Sequence, residues 1–108
     1  MMNNSCIAEV SDSGCLSLSG SLTFESTPGL YRETLKLFQP TGRIDAVDLS
    51  GITAADSAGL ALLLEWQALL HAASRDLEVR NAPEGLLSLA RLAEADDVMH
   101  MSGRIKRV

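Results

Sequence analysis

Aromatic residues are scarce in this 108-residue chain, at 4% of the total. Leucine, alanine and valine must therefore fill the core, because 46% of the residues are hydrophobic. That hydrophobic share excludes wholesale disorder, and the length suffices for one modest core but not for two. We therefore expect a single domain over residues 1–108, with a core spanning about 5–101 and a basic tail at 102–108.

Basic residues are also few. Nine Lys and Arg face fourteen Asp and Glu, and three of the nine bases are Arg104, Lys106 and Arg107. Nucleic-acid binding needs bases clustered on one face, so we expect no nucleic-acid partner. The tail is interpreted as a solvated terminus, with contact to an acidic lipid surface or a partner as the alternative.

Long apolar runs are missing, because the longest one covers only residues 58–64. A bilayer span needs about 18–20 apolar residues, and the N-terminal residues lack the basic start and apolar block of a signal peptide. We therefore expect no membrane insertion and a cytoplasmic protein. Cys6 and Cys15 are expected to be reduced thiols, since a turn near Ser13-Gly14 would place them far apart.

Alternating hydrophobic patterns predict a hairpin followed by helices and strands in turn. This order indicates an α/β fold with a small mixed sheet, a parallel part after the hairpin, and three to four packed helices. Thr27 is expected to cap the first helix and Ser50-Gly51 to lie in a loop. The predicted strands are 6–10, 15–22, 44–49, 77–80 and an edge strand at 98–101; the predicted helices start at 27–28, 57 and 83–84.

The predicted helix over residues 57–74 carries more information than the others. Its core stripe falls within an arc of about 120°. Behind that stripe Glu65 is the only formal charge, and a helix that is apolar nearly all round is usually covered. We interpret its back as a partner surface; the alternative is that alanine is exposed as a good helix former. The opposite face holds Ala61, Glu65, Ala68 and Ala72, and its flank holds Leu60, Leu64, Gln67 and His71.

The first turn of this helix is its most distinctive part. Asp56 and Ser57 are both good N-cap residues, which accept hydrogen bonds from the unpaired amides of a helix start. Gly59 would let the turn pack closely against the sheet or admit a partner. Ser57 is expected to be exposed, and its phosphorylation would add roughly −1.5 to −2 charges beside Asp56.

These residues resemble the signature of STAS domains (sulphate transporter and anti-sigma-factor antagonist). The resemblance rests on two segments and on the element order, so it covers nearly the whole chain. In that family an Asp-Ser/Thr-x-Gly-Leu segment opens a helix after a central strand. The matching segments are Val47-Asp48-Leu49-Ser50-Gly51-Ile52 and Ala55-Asp56-Ser57-Ala58-Gly59-Leu60.

Two branches of the family are similar to this sequence. Anti-sigma-factor antagonists match at Asp56-Ser57, and the resemblance implies phosphorylation of Ser57 by a kinase. Ala58 stands where that branch commonly has a second serine. Residues 59–66 look more like the Mla branch, in which a small STAS subunit binds the cytoplasmic ATPase of an ABC system that moves phospholipid between two membranes.

The resemblance to the Mla branch therefore implies a binding and regulatory subunit, located at the cytoplasmic face of the inner membrane when in its complex. The alternative is an anti-sigma-factor antagonist controlled by Ser57, and a small-ligand or nucleotide sensor ranks last. The expected partner surface consists of Asp56, Ser57, Ala58, Gly59, Leu60, Ala61, Leu64, Glu65 and Ala68.

Nothing in the sequence indicates an enzyme. A phosphate-binding loop of the GxxxxGK[ST] type is absent, so we expect no ATP binding of that kind and no cofactor. His71 and His100 are isolated, and Asp96-Asp97 lacks further ligands at metal spacing. Ser57 has no base identifiable from sequence. We predict a protein without catalytic or metal-binding residues.

Overall fold

A computed structural model describes residues 5–11, 13–39, 42–95 and 100–103. Within these residues five strands form one sheet in the order β1-β2-β3-β4-β5. The β1–β2 pair is antiparallel and the other three pairs are parallel, which confirms the predicted α/β fold with a mixed sheet. The elements are β1 (Cys6–Val10), β2 (Cys15–Leu22), α1 (Thr27–Thr34), a 3-10 helix (Leu35–Phe38), β3 (Ala46–Ala55), α2 (Ser57–His71), β4 (Glu78–Ala82), α3 (Glu84–Leu92) and β5 (His100–Gly103).

The three α-helices occupy one face of the sheet. Strands β2 to β5 are neighbours in chain order, so each crossover steps in the same direction. Because such crossovers are right-handed, α1, α2 and α3 all fall on the same side. Burial agrees: Leu16 and Leu18 of β2 are fully buried, whereas the alternating residues Ser17 and Ser19 are partly exposed.

The core lies between this covered face and the helices. Trp66 of α2 is fully buried, and its ring stacks on Phe38 with centroids 4.5 Å apart and planes 12° from parallel. Around this pair the core is mainly leucine, as the aromatic-poor composition requires. Its largest fully buried aliphatic residues are Leu16, Leu18, Leu22, Ile44, Leu49, Leu63, Leu70, Leu77, Leu86 and Val47.

The carboxyl ends of the parallel strands meet at one edge of the sheet. There β2 leads into Thr23 and Phe24, β3 into Asp56, and β4 into Pro83. Since neighbouring strands are about 4.8 Å apart, segments distant in sequence come together at this edge.

Several predicted boundaries were wrong. Ser50 and Gly51 lie inside β3 rather than in a loop, because Gly51 packs directly against Ser19 of β2. The N-cap of α1 is Ser26, not Thr27. Helix α2 ends at His71 instead of residue 74, where the chain turns back through Ser74 at φ 60°.

Some predictions fall on parts of the chain without a described structure. Of the predicted edge strand, residues 98 and 99 lie outside the described residues, and the observed strand is His100–Gly103. The Asp96-Asp97 pair and residues 104–108 of the basic tail also lie outside them.

The two cysteines are free thiols. Cys6 pairs with Gly20 across the hairpin, and Cys15 is buried at the start of β2. Burial raises the pKa of both thiols, so both stay protonated at neutral pH. Across the described residues, no helix combines the length and the apolar character that a bilayer span requires.

Candidate functional site

The start of α2 is built on the carboxylate of Asp56. Asp56 follows β3 without an intervening loop, and its backbone N–H donates to Leu22 O at 3.2 Å. Its Oδ1 accepts hydrogen bonds from the N–H groups of Ala58 (2.9 Å) and Gly59 (3.3 Å). Asp56 is therefore the N-cap, and Ser57 is the first residue of the helix.

The second oxygen of Asp56 holds a different segment. Asp56 Oδ2 accepts a hydrogen bond from the Phe24 N–H at 3.1 Å. The turn around Phe24 is fixed from its other end by Ser26, whose Oγ donates to Ser21 O at 2.6 Å and accepts from the Thr23 N–H at 3.0 Å. One carboxylate thus joins the β2–α1 turn to the first turn of α2.

Phe24 is a surface residue that no sequence pattern singled out. Its side chain is 70% exposed, in a chain whose other phenylalanine and single tryptophan are fully buried. The available signal was an aromatic residue between Thr23 and Glu25, directly after a strand. Its proximity to Asp56 could not be seen, because the two residues are 32 positions apart.

Gly59 lets α2 approach β2 closely. A Cβ atom at this position would lie 2.5 Å from Leu22 O and 2.9 Å from Leu22 Cγ. Both distances are shorter than van der Waals contact, and one of the two atoms belongs to the backbone. The predicted close packing of this turn against the sheet is confirmed.

The outer side of α2 presents an exposed stripe, formed by Ser57, Ala61, Glu65 and Ala68, which we call the α2 stripe. Their spacing of four, four and three residues places them on one face of the helix. Ala72 continues the stripe, while Ala58 and Leu64 border it as partly buried residues. The stripe carries a single charge, on Glu65.

Leu60 and Gln67 were expected on the exposed flank of this helix, and that placement was wrong. Leu60 is only 5% exposed and belongs to the core, because α1 packs beside α2 and widens its buried arc. Gln67 is 8% exposed. Its Oε1 accepts from the Leu77 N–H at 2.9 Å, and its Nε2 donates to Asp76 at 3.5 Å.

Asp48, from the first signature segment, lies on the uncovered face of the sheet. It accepts hydrogen bonds from Asn81 Nδ2 (2.9 Å) and from the Ser50 N–H (3.0 Å). Partial burial acts to raise the pKa of Asp48, but these hydrogen bonds outweigh it and hold the pKa below its ordinary value. Asp48 thus links β3 to β4 and does not contribute to the α2 stripe.

Ser57 is exposed at the first position of α2. In the described part of the chain the Ser57 hydroxyl has no hydrogen-bond partner. His71 is at the far end of α2, roughly 21 Å along the helix at 1.5 Å per residue. Among the described residues, no group of three or more His, Cys, Asp or Glu side chains could hold a metal ion.

Replacing Asp56 by alanine tests its double role. Asp56→Ala removes the acceptor of three backbone N–H groups, so we expect a loss of about 2 kcal/mol, the upper end of the range for an N-cap. Urea unfolding measures the free energy. Asp56→Asn, which keeps a capping oxygen, should cost less, and Ser57→Ala should change stability by under about 0.5 kcal/mol. Equal stability of Asp56→Ala and the unmodified protein would contradict this role.

The geometry defines a STAS fold, and solved structures support this class. Two structures of SpoIIAA are similar to the chain, each at 13% sequence identity. The unphosphorylated form, described as an anti-sigma factor antagonist, has a TM-score of 0.65 over 93% of this chain and 89% of SpoIIAA. The phosphorylated form, described as a Bacillus cell fate determinant, has a TM-score of 0.66 over 90% of each chain.

A family model narrows this class. The model described as "Mlab, STAS domain" matches residues 7–102. The chain therefore belongs to the MlaB-type STAS domain family, as the resemblance in residues 59–66 predicted. No curated protein matches its sequence significantly.

Proposed function

We propose that this protein is a non-catalytic STAS subunit that binds the cytoplasmic ATPase of an Mla-type ABC system for intermembrane phospholipid transport. In this role it stabilises or regulates the ATPase and maintains outer-membrane lipid asymmetry. It acts at the cytoplasmic face of the inner membrane through this complex, without inserting into the bilayer.

The observation that carries the proposal is the α2 stripe next to Ser57. Ser57, Ala61, Glu65 and Ala68 are exposed along one helix face. The small side chains of Ser57, Ala61 and Ala68 allow a second backbone to approach closely. A low charge density favours stable docking, because few polar groups must lose water when the surface is covered. Membership of the MlaB-type family supports an ABC ATPase as the partner.

We assign the proposed roles of these residues by their exposure and their contacts. Ser57, Ala61, Glu65 and Ala68 would touch the partner directly, with Ala58 and Leu64 at the border. Asp56 and Gly59 would act by holding the helix start in place. Leu60 is part of the core and would contribute only through packing.

A charge placed in the α2 stripe should disrupt binding. Ala61→Arg adds a long cation at an exposed position, so we expect affinity for the ATPase subunit to fall by more than tenfold with little change in stability. Isothermal titration with the purified ATPase measures the affinity. Ala93→Arg, at an exposed position after α3, is the matched control and should bind normally. Normal binding by both Ala61→Arg and Ser57→Glu would refute the docking surface.

A second candidate is an anti-sigma-factor antagonist switched by phosphorylation of Ser57. The exposed hydroxyl of Ser57 at the first position of α2 favours it. A phosphate there would stand beside the Asp56 carboxylate and change docking through like-charge repulsion. The test is incubation with a serine kinase from the same cell, followed by measurement of the intact mass. This candidate predicts that the unmodified protein gains the mass of one phosphate and that Ser57→Ala does not.

A further inference from the structure

We propose that Phe24 is the main apolar anchor of the docking surface, and that it inserts into an apolar pocket of the ATPase with a basic rim. This inference rests on the proposed function and deepens it. It extends the contact surface from the α2 stripe to the β2–α1 turn, which is 32 residues away in sequence.

Phe24 is far more exposed than the other aromatic residues. Phe38 and Trp66 are fully buried and Tyr31 is partly buried, whereas 70% of the Phe24 side chain is exposed. An aromatic side chain buries about 150–250 Å² when it is covered, and aromatic anchors in pockets dominate the binding energy of protein interfaces. Phe24 is the only aromatic residue of the described part of the chain that has most of this area available.

The backbone of Phe24 is held by Asp56, the residue that precedes Ser57. Its backbone N–H donates to Asp56 Oδ2, while Oδ1 of the same carboxylate caps α2. Behind it, the Ser26 N–H and the Thr27 N–H both donate to Thr23 O, at 3.0 and 2.9 Å. Phe24 therefore occupies a turn with a fixed position relative to the α2 stripe, and a partner covering Ser57 meets both.

Charge favours a protein pocket over a lipid surface. Residues 21–29 and 54–65 contain three acidic residues, Glu25, Asp56 and Glu65, and no lysine or arginine. Glu25 and Glu65 are exposed. Aromatic insertion into anionic membranes is usually supported by basic neighbours, whereas acidic neighbours repel such a surface. A pocket with lysine or arginine at its rim is complementary to this arrangement.

Leu92 supplies a matched control. Its side chain is 82% exposed, more than that of Phe24, but it lies at the last residue of α3. Helix α3 begins at the edge of the sheet that carries Asp56 and runs away from it, so Leu92 is at the opposite end. If exposed apolar area alone drove binding, truncation of Leu92 would matter as much as truncation of Phe24.

The test compares Phe24→Ala and Leu92→Ala with the unmodified protein by titration against the purified ATPase subunit. We expect Phe24→Ala to bind about 30-fold more weakly, the loss typical of an interface hot spot, and Leu92→Ala to bind within about twofold of the unmodified protein. Thermal melting of each variant should be unchanged, because both side chains are exposed. Phe24→Leu should bind with intermediate affinity.

The possible results separate this inference from the proposed function. Absence of binding by the unmodified protein refutes the ATPase as partner. If the unmodified protein binds the ATPase and the affinity of Phe24→Ala is within about twofold of it, the anchor role of Phe24 is refuted while the proposed function stands. Equal losses of affinity for Phe24→Ala and Leu92→Ala have the same consequence. A vesicle experiment tests the membrane alternative. If the unmodified protein sediments with phosphatidylglycerol vesicles, and Phe24→Ala does not but still binds the ATPase, then Phe24 contacts a membrane and the inference is overturned.

Discussion

Replacing Gly59 by alanine is expected to destabilise the protein by about 2 kcal/mol, although alanine is the better helix former. The new Cβ would lie 2.5 Å from Leu22 O, a backbone atom of β2 that cannot move without disturbing the sheet. Overpacking against a backbone atom should cost about 3 kcal/mol, the upper end of its usual range. The gain of about 1 kcal/mol from helix propensity offsets only part of this cost. Urea unfolding followed by circular dichroism measures the change, and affinity for the partner should fall as the helix start shifts.

Gly85 of α3 is the matched control for this substitution. No atom lies within 4 Å of a Cβ built at Gly85, and the residue is also in the first turn of its helix. Gly85→Ala should therefore stabilise the protein by about 0.5 kcal/mol. Opposite signs at the two positions are expected; a stabilising Gly59→Ala would show that α2 can move away from Leu22 at no cost.

Replacing Trp66 by alanine should have the largest effect on stability of any substitution considered for this protein. Trp66 is fully buried and stacks on Phe38 at 4.5 Å, so its truncation leaves a cavity at the centre of the core. We expect a loss of about 4 kcal/mol, a large part of the 5–15 kcal/mol typical of a domain. Chemical unfolding monitored by circular dichroism is the appropriate measurement, because the variant has no tryptophan left for fluorescence.

Trp66→Phe distinguishes loss of the aromatic stack from loss of the indole N–H. The Trp66 Nε1 atom is buried without a hydrogen-bond partner in the described structure. Phenylalanine therefore removes no hydrogen bond and keeps a ring against Phe38, so it should cost only about 1–2 kcal/mol. A loss as large as that of Trp66→Ala would show that a phenylalanine ring at this position does not stack on Phe38 or fill the site.

Local patterns predicted the elements but not all their boundaries. Two patterns depend only on neighbours in sequence: the alternation of Leu16 and Leu18 with serines in β2, and the polar residues at the start of α2. The strand was predicted correctly; of the two candidate caps, Asp56 is the N-cap and Ser57 is the first residue of the helix. The extension of β3 through Ser50 and Gly51 depends on contact with β2. Gly51 pairs with Ser19, which is 32 residues away. A strand partner so distant in sequence can override a local turn signal, and no local pattern indicates its presence.

In the candidate site, too, features set by sequence neighbours were predictable and features set by tertiary contacts were not. The cap at Asp56 was predictable, because a carboxylate before a helix has one common use. The burial of Leu60 was not, since a helical wheel assumes one covering surface, whereas α2 is contacted by the sheet, by α1 and by α3. The hydrogen bond from the Phe24 N–H to Asp56 could not be predicted from local sequence either, because the two residues meet only when β2 and β3 pair.

The shared carboxylate of Asp56 has a consequence for the kinetics and entropy of association. Binding usually costs conformational entropy, when mobile loops and side chains must be ordered at the interface. Here the turn carrying Phe24 and the helix carrying Ser57 are tied to the same side chain, so their relative freedom is already lost when the chain folds. Docking should then resemble the encounter of two rigid bodies, with an association rate limited by diffusion and orientation rather than by loop rearrangement.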